Sequence, residues 1–221
     1  MPIVIDPQLQ SLKGWVYRMQ SVRSKPGRPL LLLHGFSGDE NSMWIFTRRL
    51  PAGMTQLAPR APFPAPGGGY SWTPPGDGDR PLSSMRDLQP AVDWLLTFVE
   101  AWAEAMALPV EPLDVMGFSQ GAALALALAL VHPGRVRALA VLSGFLPSGA
   151  DQYLEKQPLT HRSIFVAHGR KDDRIPIGQA RTAVQLLQDS GARVTYCEAD
   201  TGHKVSADCI LALESYFISI L

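Results

Sequence analysis

The five residues Gly117-Phe118-Ser119-Gln120-Gly121 set a hydroxyl between two glycines, where an apolar run (Leu113, Val115, Met116) meets a run of Ala, Leu and Val from 122 to 131. A serine that attacks a carbonyl carbon must stand clear of its own backbone, and a sharp strand-to-helix turn achieves this by forcing it into a strained conformation. Such a turn crowds the residues two before and two after the serine, so neither can carry a side chain. Here both are glycine. The flanks read as a short buried strand before the turn and a buried helix after it.

A hydroxyl is a poor nucleophile until a base takes its proton, and an imidazole can both take that proton and return it to a leaving group. Of the five histidines, His132 precedes Pro133-Gly134 at a helix end and His161 lies in a polar loop. His34 and His168 each precede a glycine at a strand end, where an imidazole more often braces a turn. His203, after Thr201-Gly202 and before the last helix, is the expected base. A carboxylate must then hold that imidazole in one tautomer. Asp172 is the expected one: Asp173 reads as a solvated or capping residue ahead of Ile175-Pro176, and Asp200, so near His203 in sequence, as a turn former. Negative charge on the attacked oxygen needs two N–H donors, and the backbones of Gln120 and Phe36 are placed to supply them.

The elements that would bring these residues together follow from the periodicity. Leu30 to Leu33, Gln56 to Pro59, Leu113 to Met116, Leu139 to Leu142, Ile164 to Ala167 and Val194 to Cys197 read as short strands. Helical patterns cover Met43 to Leu50, Ser84 to Met106 with Pro90 near its start, 122 to 131, Gln179 to Leu187, and a terminal stripe of Val205, Cys209, Leu213, Phe217 and Ile220. Strands alternating with helices imply an α/β fold, a mostly parallel central sheet with helices on both faces. Residues just past the strand ends then share one crevice. Val16 to Met19 reads as an antiparallel edge strand. The Pro- and Gly-rich stretch from 60 to 81 reads as an irregular loop without regular elements, packed over a site. Trp44, Tyr70, Trp72, Phe145 and Leu146 are candidates to line an acyl pocket.

The chain of 221 residues, 46% hydrophobic and 18% charged, suits one domain spanning 1–221. Its 20 basic and 20 acidic side chains balance, which argues against nucleic acid or an anionic membrane surface as partner and for a small-molecule substrate, with room left for a homodimer. No histidine pair has metal-ligand spacing, and Gly67-Gly68-Gly69 lacks the strand and helix of a phosphate loop, so no metal or cofactor is expected. The start of the chain does not read as a secretory signal, and Cys197 and Cys209 read as buried thiols, so the expected location is cytoplasmic.

Four segments in this order carry a resemblance: Leu33-His34-Gly35-Phe36-Ser37-Gly38-Asp39-Glu40-Asn41, Gly117-Phe118-Ser119-Gln120-Gly121-Ala122, His168-Gly169-Arg170-Lys171-Asp172 with Ile175-Pro176, and Gly202-His203. From Leu30 to about Leu213 the chain resembles the phospholipase/carboxylesterase family of α/β-hydrolases. The resemblance implies that fold and a triad of Ser119, Asp172 and His203, with oxyanion donors at Phe36 and Gln120. It also implies a cofactor-free serine esterase that cleaves short-chain acyl esters through an acyl-enzyme. The first loop is similar to the bacterial carboxylesterase branch and differs from the His-Gly-Leu-Gly-Asp form of acyl-protein thioesterases. A thioesterase or lysophospholipase is the alternative within the fold, and a catalytically silent ligand-binding protein the alternative outside catalysis.

Overall fold

Successive side chains of a strand point to opposite faces, so a run of four leucines needs an apolar layer on each side of its sheet. Leu31 and Leu33 enter one core and Leu30 and Leu32 the other. The computed structural model describes residues 7–20, 28–51, 53–74, 83–108 and 112–220. Residues 1–6 of the N-terminal stretch and 75–81 of the Pro/Gly-rich segment lie outside the described residues.

In chain order the elements are β1 (Gln8–Leu12), β2 (Trp15–Gln20), β3 (Pro29–Leu33), β4 (Thr55–Pro59), β5 (Phe63–Pro64), β6 (Tyr70–Ser71), α1 (Met85–Ala105), β7 (Leu113–Phe118), α2 (Gln120–Val131), β8 (Val136–Leu142), α3 (Asp151–Leu154), β9 (Ser163–Gly169), α4 (Ile177–Asp189), β10 (Arg193–Ala199) and α5 (Ala207–Ser219). Eight strands form one sheet in the order β1-β2-β4-β3-β7-β8-β9-β10. From β4 to β10 every pair is parallel, while β1 and β2 join antiparallel at one end. This is the α/β-hydrolase arrangement expected above, a mostly parallel sheet between helical layers.

The layers are unequal. Helices α1, α2 and α4 bury their apolar residues with Leu31, Leu33, Val115, Leu139, Val141, Ile164 and Val166. The other face is covered mainly by α5, whose Cys209, Leu213 and Phe217 pack with Leu30, Leu32, Met116, Leu142 and Phe165. Helix α2 is built from Ala and Leu between Gly121 and its final Val131 and is buried along almost its whole length. Each buried leucine contributes about 1.5–3 kcal/mol. Helix α1 begins on a capping box, Ser84 with Asp87, and admits Pro90 inside its second turn.

Several expectations are corrected. Val16–Met19 lies in an antiparallel strand, but β1 occupies the sheet edge outside it; its residues are exposed except for partly buried Leu12, so no apolar alternation announced it. The helix expected over Met43–Leu50 is a 3₁₀ segment, Ser42–Phe46, whose buried Met43 and Phe46 stand three apart, the period of that tighter helix. The Pro/Gly-rich stretch does hold regular structure: β5 and β6 pair antiparallel. The two cysteines are joined as a disulfide, Cys197–Cys209, rather than standing as thiols. Among the described residues no helix is long and apolar enough to cross a membrane.

Candidate active site

The parallel strands deliver four loops to one edge, those after β3, β7, β9 and β10. Ser119 sits between β7 and α2 with φ +53° and ψ −117°, a conformation costing an L-residue roughly 1–3 kcal/mol. The tightness of the turn shows in its glycines. A Cβ on Gly117 would collide with the carbonyl of Gly121, and one on Gly121 with the carbonyl of Leu33, so the elbow is pressed against the end of β3. Ser119 N–H donates to Leu142 O at 2.9 Å, which ties the turn to β8 as well.

His203 reaches this serine from the loop after β10. Its Nε2 lies 3.0 Å from Ser119 Oγ, and its Nδ1 lies 2.7 Å from Asp172 Oδ2. An ionised carboxylate only accepts, so Nδ1 carries the hydrogen and Nε2 offers a lone pair to the serine hydroxyl. The imidazole leans on Phe118, ring centroids 5.1 Å apart, and Phe118 stacks in turn on Phe46. The loops bearing Asp172 and His203 are sewn together by Arg170 N–H to Ala199 O and Lys171 N–H to Thr201 O.

Asp172 has no exposed side-chain surface. Burial alone would push its carboxyl up, but N–H donation from Ile175 (2.9 Å) and Arg174 (3.0 Å) to Oδ1 and from His203 to Oδ2 outweighs it, holding the carboxyl below the ordinary range. It is therefore a fixed negative charge beside the imidazole. The other carboxylates weighed for this place lie elsewhere: Asp173 is exposed, and Asp200 pairs with Lys171 at 2.7 Å.

Backbone N–H groups of Phe36 and Gln120 donate to no other described group, which leaves both available to an anionic oxygen. Gln120 also opens α2, where the helix dipole favours negative charge. The loop of Phe36 is braced by His34, whose Nδ1 lies 2.7 Å from Gly35 O while its Nε2 accepts from Ala61 N–H at 3.0 Å. The first contact requires a hydrogen on Nδ1 and the second a lone pair on Nε2, so the ring is neutral; burial keeps its pKa below the ordinary value.

Of the aromatic and apolar candidates, Trp72 and Phe145 are buried in the core, and Leu146 packs partly buried against it. Trp72 donates its indole N–H to His34 O at 2.8 Å. Trp44 is half-buried and donates to Glu40 O. Tyr70 lies beneath the guanidinium of Arg60, 4.7 Å from the ring centre. His132 caps α2 and His161 is exposed, away from the hydrogen-bonded chain. Among the described residues no cluster of His, Cys, Asp or Glu has the make-up of a metal site.

Three features were not found by sequence reasoning. Arg60 grips the buried Glu40 with two hydrogen bonds, 2.7 and 2.9 Å, and so ties the Pro/Gly-rich segment to the loop after β3. His168 Nε2, which donates to Ile175 O at 2.8 Å, stands 3.3 Å from Asp172 Oδ2. The side-chain amide of Gln120 turns away from the site into the segment 71–73. Only the first had a signal, the adjacent acidic pair Asp39-Glu40 in the loop after β3.

The model of the phospholipase/carboxylesterase family matches residues 17–220. A probable carboxylesterase of Oryza sativa subsp. japonica is 32% identical over 49% of this chain and 42% of its own length, so the match spans less than half of that relative. Acyl-protein thioesterase 1 of Saccharomyces cerevisiae is 28% identical over 77% of this chain and 82% of its own. Among solved structures, esterase PE8 aligns with a TM-score of 0.79 at 26% identity, covering 92% of this chain and 97% of its own. A carboxylesterase from Mesorhizobium loti aligns with a TM-score of 0.79 at 22% identity over 97% and 99% of the two chains, a likeness of fold.

Proposed function

The chain belongs to the phospholipase/carboxylesterase family, and from that premise we propose that it cleaves short-chain carboxylic esters with Ser119 as nucleophile, His203 as base and Asp172 as the orienting acid. One observation carries the reading: a continuous hydrogen-bonded chain, Asp172 Oδ2 to His203 Nδ1 and His203 Nε2 to Ser119 Oγ, ending on a serine in a strained elbow.

In the first half-reaction Ser119 Oγ bonds to the carbonyl carbon while its proton passes to His203 Nε2, and the carbonyl π electrons move onto oxygen. The N–H groups of Phe36 and Gln120 receive that oxyanion. Its electrons then re-form the carbonyl, the bond to the leaving oxygen breaks, and His203 Nε2–H protonates that oxygen, so that it departs as the alcohol. Water next gives a proton to the same nitrogen as its oxygen attacks the acyl-serine. The tetrahedral adduct then collapses, the bond to Ser119 Oγ breaks, and His203 Nε2–H returns the proton to that oxygen, releasing the carboxylic acid and restoring the neutral imidazole. Asp172 stays ionised throughout and steadies the imidazolium, a role suited to a carboxyl held below its ordinary pKa.

A thioester follows the same steps with a thiolate leaving group, and the match over most of the yeast acyl-protein thioesterase favours it as the second reading. Acyl-length profiling with paired oxygen and sulfur esters separates the two. Labelling with a fluorophosphonate followed by peptide mapping tests the nucleophile: the reading expects modification at Ser119, and modification at another serine, or none in active protein, defeats it.

A further inference from the structure

The two N–H groups assigned to the oxyanion come from segments that are not consecutive: Phe36 follows β3 and Gln120 opens α2. We infer that the side chain of Gln120 is a positioning residue that fixes the spacing between these donors, by clamping residues 70–73 as a splint across the gap. The inference rests on the hydrolase reading above.

The clamp is fully specified by donor and acceptor chemistry. A backbone N–H can only donate, so the amide atom 3.1 Å from Trp72 N is Oε1. That orientation turns Nε2 toward two hydroxyls, Ser71 Oγ and Thr73 Oγ1, each at 3.2 Å. Ser71 gives its one hydrogen to Thr73 O at 2.8 Å, which leaves its lone pairs for Gln120 Nε2 and for Thr73 N–H at 3.2 Å. Ser71, Trp72, Thr73 and Gln120 are all buried, so water does not replace a lost partner.

The far side of the same segment grips the loop that carries Phe36. Ser37 N–H donates to Tyr70 O at 2.9 Å, and Tyr70 N–H returns a bond to Gly38 O at 2.8 Å. Trp72 reaches His34 O through its indole. Gly69, at φ +69°, lies so close to Ser37 that a Cβ there would collide with the Ser37 carbonyl. Phe36 is thus flanked on both sides, at His34 and at Ser37, by residues bonded to the segment that Gln120 holds.

Oxyanion donors act through distance: they stabilise the developing charge at about 2.7–3.1 Å from where the oxygen will be, so a splint that sets their separation acts on turnover more than on substrate binding. Glutamine suits the position because it presents an acceptor to one neighbour and donors to two. Glutamate would face Ser71 with a second acceptor, and a side chain without polar atoms would leave Trp72 N–H unpaired.

The decisive variant is Gln120→Met, which keeps the backbone N–H and roughly the side-chain length. With p-nitrophenyl butyrate, kcat should fall about 10- to 100-fold, short of the ~10²- to 10³-fold expected for losing a donor outright. KM should stay within about two-fold, and a boronic acid that forms a tetrahedral adduct on Ser119 should bind more weakly by the same factor as kcat/KM. A Ser71→Ala, Thr73→Val double variant, which leaves Gln120 in place, should show a smaller loss of the same kind, non-additive with the first. A folded Gln120→Met enzyme with wild-type kcat and boronate affinity overturns the splint, as does a loss confined to KM. Should that variant fail to fold, unchanged turnover in the double variant overturns it instead. Ser119→Ala separates the two levels: if it leaves hydrolysis intact the hydrolase reading itself falls, whereas an inert Ser119→Ala beside a fully active Gln120→Met removes only the splint.

Discussion

The elbow at Ser119 and the loop at Phe36 stand at the same edge of the sheet but are held in place in different ways. The elbow is shaped first by its own five residues, because Gly117 must leave room for the carbonyl of Gly121, while Gly121 in turn lets the end of β3 approach. The loop after β3 depends on partners far along the chain: Arg60 on Glu40, Ala61 on His34, Tyr70 on Ser37 and Gly38. One half of the proposed catalytic centre is therefore written largely in its local sequence while the other is assembled by tertiary contacts. Mutations should damage them differently.

The strongest break lies on the elbow side. Ser119→Ala should reduce p-nitrophenyl ester turnover to at most the ~10³- to 10⁴-fold over water that oxyanion donors and binding can supply. Asp172→Asn should cost about 10⁴ in turnover by favouring the wrong imidazole tautomer; a larger loss from Asp173→Asn or Asp200→Asn would move the acid elsewhere. On the loop side the effect should be milder in turnover and larger in stability. Arg60→Met leaves buried Glu40 without its charged donors, which should lower stability by roughly 1.5–3 kcal/mol and turnover by about ten-fold, less than the ~10² of a deleted oxyanion donor. Denaturant melts beside steady-state kinetics would show whether the two losses part in this way.

Acid should separate the regions too. His34 on the loop side is held neutral by burial, with its pKa lowered. As pH falls below about 6.5 the unfolded chain binds a proton there before the folded one does, so stability drops. Asp172 on the elbow side has its carboxyl lowered, so its contribution is full above about 3.9 and is lost only as pH falls further, through the folded value. Thermal melts should thus show a loss between pH 6.5 and 4.5 that His34→Gln reduces and Asp172→Asn does not; an equal slope in all three proteins would contradict this. The smallest change in turnover should come from Cys209→Ser, which leaves the hydrogen-bonded chain intact but should lower stability by about 2–4 kcal/mol.

What could be read in the sequence follows the same division. The pattern Gly117 to Gly121 states a local steric requirement, and an alternating strand-helix order then places Asp172 and His203 at the same edge, so these three residues could be named before any coordinates. The clamp at Gln120 could not, because its partners, Ser71 to Thr73, lie nearly fifty residues away in a stretch whose paired strands are two residues long and show no periodicity. Exposed β1 offered no apolar signal, and the 3₁₀ segment at Ser42–Phe46 offered too few residues to distinguish it from an α-helix. The cysteines misled for a similar reason: nothing in a spacing of 12 residues says that a strand and the first turn of the next helix bring their Cα atoms to 5.7 Å.

That cross-link makes the stretch carrying His203 a covalent ring, closed by one end of α5 and one end of β10. A protease that cuts one peptide bond between residues 198 and 208 would leave two fragments still tethered on either side of the imidazole. Such a nicked protein should migrate as one band without reductant and as two with it.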